Sequence, residues 1–182
     1  MAHRTLLAYS TTDGHTLHIC ERLSRMMTAL GHQVTLLSLD QVNALDLPLF
    51  DCIVIGASIR YGYHRPQVAG FMTQHRAILQ SMPCAFFSVN IVARKPNKNQ
   101  PETNPYLKKF LRQIQWKPQV VDVFAGKLNY PRYGFFDRQM IRLIMLITHG
   151  PTNPRAVVEF TNWARVEAFA YTVCALMVTE PT

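Results

Sequence analysis

Thr5-Leu6-Leu7-Ala8-Tyr9-Ser10-Thr11-Thr12-Asp13-Gly14-His15-Thr16 is the stretch that decides how this chain is built. Its first half is an apolar run that reads as a strand. The residues after it show helical spacing, with Ile19, Leu23, Met26, Met27 and Leu30 on one face. Between the two, every position from Ser10 to Thr16 is small, hydroxylated or backbone-permissive apart from Asp13 and His15. A strand that ends in such a turn ahead of a helix can wrap a phosphate. Backbone N–H groups point inward, hydroxyls add donors, and the helix N-terminus adds a favourable dipole. The spacing is neither G-x-G-x-x-G nor the Gly-Lys-Ser/Thr of a P-loop. A phosphate-bearing ligand other than a nucleoside triphosphate is the expectation. Asp13 would repel a phosphate if turned inward, so it is expected to face out or to accept a backbone N–H in an Asx-turn. His15 and His18 lack a third metal ligand, so no metal is expected.

Working outward, strands and helices alternate along the chain. Gly31 reads as a helix C-terminal cap and Gln33 to Ser38 as the second strand. Cys52 to Ala57 is the most apolar strand, as a central parallel strand should be. Pro66 opens one helix that turns Phe71, Met72, Ile78 and Leu79 inward. Cys84 to Val89 and Val120 to Gly126 are the fourth and fifth strands, with a helical face of Tyr106, Leu107, Phe110, Leu111 and Ile114 between them. A last helix starts near Asn162. Such alternation predicts a parallel sheet with helices on both faces, and five strands fit the doubly wound, flavodoxin-like order 2-1-3-4-5. The fold class is therefore α/β. The chain is expected to form one domain over residues 1–182, with an insertion at about 127–156 that interrupts the fifth strand. Val157-Val158-Glu159-Phe160 reads as that strand resuming.

In this fold the ligand sits beyond the carboxyl ends of the strands, where strand order switches. Three loops then converge: Ser10 to Thr16, Ser58 to Arg65, and Asn90 to Asn104. Tyr61 and Tyr63 are placed to stack on a flat ring, and Gly62 lets backbone approach it. Arg60, Arg94 and Lys95 bring positive charge. The convergence points to flavin mononucleotide (FMN), with Ser58 and Ser88 at the strand ends. A unit positive charge about 6 Å from a reduced flavin anion is worth roughly 3 kcal/mol at an effective dielectric of 20. For a two-electron couple that is roughly 60 mV upward, toward quinones.

Bulk composition is consistent with this. At 182 residues and 48% hydrophobic, the chain can bury a full core. Its net charge of +8 and pI near 9.6 favour anionic partners: a phospholipid surface, nucleic acid or a small polyanion. No nucleic-acid signature accompanies the charge. Cys20, Cys52, Cys84 and Cys174 lie in apolar stretches without C-x-x-C spacing and read as reduced core residues. Met1-Ala2-His3-Arg4 runs straight into the first strand, so no signal peptide is expected. No apolar run reaches the ~18 residues of a membrane span.

The insertion runs from Tyr130-Pro131-Arg132-Tyr133-Gly134-Phe135-Phe136-Asp137-Arg138 into Gln139 to Ile147, apolar nearly all round. At 1.5 Å per residue its helical part spans about 20 Å, too short to cross a bilayer. Aromatics and arginines at one end and aliphatics at the other suit an interfacial helix, or the lip of a pocket for a lipid-soluble molecule. A buried closing helix or a dimer contact stays open.

S-T-x-D-G-x-T at 10–16, G-A-S-I-R-Y-G at 56–62, S-V-N-x-V-A-R-K-P at 88–96 and Y-P-R-Y at 130–133, with the apolar basic insertion, resemble the quinone-dependent protoporphyrinogen IX dehydrogenases of the flavodoxin superfamily. The likeness runs over nearly the whole chain. It implies an FMN enzyme of haem biosynthesis that oxidises protoporphyrinogen IX to protoporphyrin IX and passes electrons to menaquinone or ubiquinone. It also implies peripheral contact with the inner face of the cytoplasmic membrane. Carried over by position, Thr11, Thr12, Asp13, Gly14, His15 and Thr16 form the phosphate loop, after Ser10. Ser58, Arg60, Tyr61, Gly62, Ser88, Asn90 and Arg94 complete the cofactor set. Lys95, Arg132, Arg138 and Arg142 are candidate anchors for the substrate's propionates. Tyr61 and His64 are candidate proton acceptors, water equally so. A flavodoxin-type electron carrier and an NAD(P)H:quinone reductase are the alternatives.

Overall fold

Leu6, Leu7 and Ala8 show how the core divides. Alternate residues of a strand face opposite sides of the sheet. Leu6 and Ala8 accordingly pack with Phe71, Met72, Leu79, Leu107 and Phe110 on one side. Leu7 packs with Ile19, Leu23, Val166 and Phe169 on the other. This is seen in a computed structural model, which describes residues 3–42 and 47–178. Met1 and Ala2, which carried the reading of the N-terminus, lie outside the described residues.

The elements, in order, are β1 (Arg4–Ser10), α1 (His15–Ala29), β2 (Gln33–Ser38), α2 (Leu39–Val42), β3 (Cys52–Arg60), β4 (Tyr63–His64), α3 (Pro66–Gln74), α4 (Arg76–Ser81), β5 (Cys84–Val89), α5 (Pro105–Ile114), β6 (Val120–Phe124), β7 (Lys127–Asn129), α6 (Phe135–Ile147), β8 (Val157–Glu159) and α7 (Trp163–Leu176). The main sheet runs β2-β1-β3-β5-β6, all parallel, with Leu7 opposite both Leu36 and Val54, Ile55 opposite Phe86, and Ser88 opposite Val123. This is the expected doubly wound order. Pro105 and the Asn104 side chain, which accepts from Leu107 N, start α5; the Asn162 side chain, accepting from Arg165 N, caps α7.

Three local readings differ from the sequence expectation. The helix opened by Pro66 is broken at His75, whose ring tilts against Phe71, giving α3 and α4. β3 extends past Ala57 and folds back through Tyr61 and Gly62, both at positive φ, into the short hairpin strand β4; two left-handed residues in a row are what a tight two-residue hairpin turn needs. After the insertion the chain pairs antiparallel with its own exit strand, Lys127 opposite Glu159 and Asn129 opposite Val157, instead of rejoining the parallel sheet. The insertion leaves and returns at one place, so its two ends run in opposite directions.

The insertion has a small core of its own, in which Leu128, Tyr130, Tyr133 and Met145 are buried against Ile141, Ile144 and Phe160. All four cysteines are unpaired and buried, and burial pushes the Cys84 thiol up to about 12. Among the described residues no helix is long and apolar enough to cross a membrane.

Candidate functional site

The parallel strands end at one cleft. Its rim is formed by the turn after β1, the end of β3, Asn90 after β5 and Gly126 after β6, and its outer wall is the insertion. In the turn, Gly14 takes φ 85 and its N–H donates to Thr11 Oγ1 at 3.0 Å. The first helical bond of α1 runs from His18 N to Gly14 O. The N–H groups of His15, Thr16 and Leu17 therefore precede the hydrogen-bonded ladder. Two side-chain oxygens here, Ser10 Oγ and Thr16 Oγ1, are buried without a hydrogen-bond partner. A buried orphan hydroxyl costs about 1–3 kcal/mol, and two in one turn beside unladdered N–H groups are what a phosphate would satisfy. The residues present thus fit the phosphate of a flavin nucleotide.

His15 lines the cleft, with Nε2 2.6 Å from Thr161 Oγ1. The Thr161 hydroxyl donates to Ala125 O at 2.9 Å, so its oxygen accepts and the ring proton is assigned to Nε2. Burial, outweighing the attraction of Glu159, lowers the His15 pKa from its ordinary value. Among the described residues no group of three or more metal-ligating side chains occurs.

Asp13 neither faces freely outward nor closes an Asx-turn. Its Oδ1 accepts from Arg60 Nη1 at 2.7 Å. Arg60 Nη2 donates to Asp137 Oδ2 at 2.5 Å, and the guanidinium lies 5.6 Å from the Tyr61 ring centre and 5.5 Å from that of Tyr133. Tyr61 OH donates to Asp137 Oδ1. Burial alone would lower the Arg60 pKa; Asp13, Tyr61 and Asp137 outweigh it and raise the value. Tyr61 is raised first by its bond to Asp137, then by burial. Held as a donor, Tyr61 is a poor proton acceptor.

Several expected site residues stand behind the cleft wall. His64 is half-buried between Phe86 and Phe110, with Nδ1 3.1 Å from Ser58 O and Nε2 3.4 Å from Ser88 Oγ. Burial pushes its pKa down to about 4, against the bond to Ser58 O. Ser88 is buried in the same network, which continues through Asn90 to Asn104. Gly62 approaches the Tyr106 ring instead of the cleft. Arg94 donates to Ile91 O and to Thr148 O and Oγ1, over the Phe160 ring. Arg138 donates to Tyr133 O, and Arg142 to Thr152 O. These arginines satisfy carbonyls of the insertion, and Arg60 is matched by two carboxylates. Of the expected cations, Arg60 lines the cleft with its charge matched by Asp13 and Asp137, whereas Arg94, Arg138 and Arg142 are not part of the cleft lining. Lys95 is not among the residues that line the cleft, and Arg132 lines a neighbouring groove with His18, Lys127 and Asn129.

Lys127, Leu128, Tyr133, Ile141, Ile144 and Met145 also line the cleft, and their residue types alone do not mark them as ligand-facing. Residue type likewise does not mark Asp137, whose partners Arg60 and Tyr61 lie 76 or more positions away in the chain. The 3.6-residue spacing of Ile141, Ile144 and Met145 was the available signal for an inward face of α6.

Fold and turn together define a flavodoxin-type protein. The flavodoxin domain family matches residues 6–155. A flavodoxin of Streptococcus pneumonia TIGR4 superposes with a TM-score of 0.53 at 12% identity, covering 94% of this chain and 98% of that one. An archaeal flavodoxin gives 0.52 at 12% identity, covering 97% and 99%. The protoporphyrinogen IX dehydrogenase [quinone] of Escherichia coli (strain K12) is 42% identical over 179 residues, 98% of each chain. Its namesake from Leishmania major is also 42% identical, covering 98% of this chain and 78% of that protein. The chain belongs to the flavodoxin-domain family and, within it, to the quinone-dependent protoporphyrinogen IX dehydrogenases.

Proposed function

We propose that this protein is an FMN-dependent dehydrogenase that converts protoporphyrinogen IX to protoporphyrin IX and delivers the electrons to a respiratory quinone. The observation that carries the reading is the double lining of one cleft. The phosphate turn forms one end, and apolar residues of the insertion, Leu128, Tyr133, Ile141, Ile144 and Met145, form a wall. A soluble carrier needs only the first; a site for greasy porphyrinogen and quinone needs both.

Bound FMN would supply two-electron redox chemistry, used three times per porphyrinogen. Ser10, Thr11, Thr12, Gly14 and Thr16 would hold its phosphate. Ser58, Tyr61 and Asn90 would border its ring system. Asn90 is held for this by accepting from Ala93 N at 3.0 Å and by the Asn104 amide. His64 holds Ser58 O and acts as a positioning residue. The apolar wall excludes water. Arg132 in the adjoining groove, and Lys127 in the cleft lining with a 3.7 Å pairing to Glu159, are the cations best placed for the propionates.

The outer face of α6 exposes Phe135, Phe136, Leu143, Leu146 and Ile147. This supports peripheral contact with a bilayer, at its cytoplasmic face, by the segment 131–147. A single domain over 1–182 is part of the same proposal.

Anaerobic mixing with protoporphyrinogen IX and a menaquinone analogue, with and without FMN, tests the reading through porphyrin fluorescence. FMN-dependent porphyrin formation is expected. Its absence, with rapid flavin bleaching by NADPH, would replace the reading with a quinone reductase. Its absence without bleaching would leave a carrier.

A further inference from the structure

Arg60 joins three separate parts of the chain. It sits at the end of β3, with Asp13 of the phosphate turn on one side and Asp137 in the first turn of α6 on the other. Tyr133, just before α6, lies over the guanidinium, and Tyr61 closes the circuit by donating to Asp137. The Arg60 side chain is 19% exposed, whereas the two carboxylates are 42% and 41% exposed. Asp137 does not line the cleft, but Tyr133, Ile141, Ile144 and Met145, around it in the chain, do.

We infer that Arg60 is a positioning residue that couples the phosphate turn to the insertion helix, so that filling the turn holds α6 in place against the cleft. The inference rests on the turn being the FMN phosphate site. The physical link is entropy. A phosphate that orders the turn fixes Asp13. A guanidinium already held by one carboxylate then loses less freedom in closing on the second. Linkage makes the effect reciprocal: loosening α6 from Arg60 weakens binding at the turn by the same factor.

Asp137→Asn separates this coupling from plain electrostatics, because the two predict opposite signs. Removing a negative charge near an anionic ligand strengthens its binding by Coulomb's law alone. The coupling instead predicts weaker FMN binding, by about fivefold, the low end of common coupling energies. Riboflavin, which lacks the phosphate, separates the turn from the rest of the cleft.

The test is FMN and riboflavin titration by flavin fluorescence, with hydrogen exchange over residues 135–147, for the wild type, Asp137→Asn, Arg60→Met and Arg60→Lys. FMN is expected to slow exchange in α6 of the wild type by about fivefold, and riboflavin to do so far less. Arg60→Met is expected to lose this protection, and Arg60→Lys to regain part of it. Unchanged or tighter FMN binding by Asp137→Asn overturns the coupling, as does FMN protection of α6 that persists in Arg60→Met. Should Arg60→Met fail to fold, Asp137→Asn decides the matter alone. Failure of the wild type to bind FMN at all would instead defeat the cofactor reading. Porphyrinogen oxidation enters none of these measurements.

Discussion

Gly56 shows how tightly single atoms are placed behind the cleft. A Cβ built there would lie 2.2 Å from Cζ of Phe87, and Phe87 packs in turn on Phe124 and Phe169. Gly56→Ala is therefore expected to destabilise the protein by about 1–3 kcal/mol through overpacking, measured by urea unfolding. Two residues of the turn behave in the opposite way. Ser10 and Thr16 carry orphan hydroxyls, which cost stability and await an acceptor or donor. Thr16→Val is expected to leave the ligand-free protein as stable as the wild type, or up to about 1 kcal/mol more stable. FMN affinity should fall about tenfold or more, the worth of one hydrogen bond to a charged group. Thermal melts of the free protein beside flavin titrations check both halves. At this scale the sequence was legible where chemistry follows from residue type, as with the hydroxyl-rich turn. It was not legible at Arg60 or Asp13, because an ion pair between residues 47 positions apart depends on which strands are neighbours.

The insertion illustrates the scale of the element. Its helix was readable from apolar spacing, and its length ruled out a span. Which face turned inward needed the fold, because α6 is apolar on both sides. Ile141, Ile144 and Met145 face the cleft, while Phe136, 85% exposed, and Ile147 stand in solvent. If the outer face enters a bilayer, Phe135→Ser with Phe136→Ser should lower partitioning onto phosphatidylglycerol vesicles at least tenfold. Burying each phenylalanine is worth about 1.5–3 kcal/mol. Co-sedimentation measures this, and an unchanged bound fraction removes α6 as the membrane contact. The short strand after the insertion pairs with β7 instead of resuming the fifth strand for a related reason. A run such as Val157-Val158-Glu159 states that it is a strand, and its partner is set by where the chain re-enters the molecule.

Over the whole molecule, burial decides which charges matter. The net charge of +8 was visible from composition, but the arginines nearest the cleft are spent on carboxylates and carbonyls. Half-buried histidine has the larger consequence for stability. His64, pushed down to about 4 in the folded protein, returns to about 6.5 when unfolded. Between these values the unfolded chain binds more protons, so stability is complete above about pH 6.5 and falls as pH drops toward 4. The lowered His15 acts in the same direction. The wild type is expected to lose about 2 kcal/mol between pH 7 and pH 5 through His64. His64→Gln, though less stable at pH 7, should show a flatter profile in the same urea titrations. An identical slope would show that His64 does not titrate there.

By itself the sequence determined the alternation of strands and helices, the phosphate turn and the apolar character of the insertion. Each of these is local: periodicity, turn chemistry and helix length are properties of neighbouring residues. The tertiary structure alone decided that Asp13, Arg60 and Asp137 meet, that His64 is walled off, and that one face of α6 lines the cleft. Those facts depend on packing between segments far apart in the chain, where burial and pairing, and not residue type, set each group's charge and role.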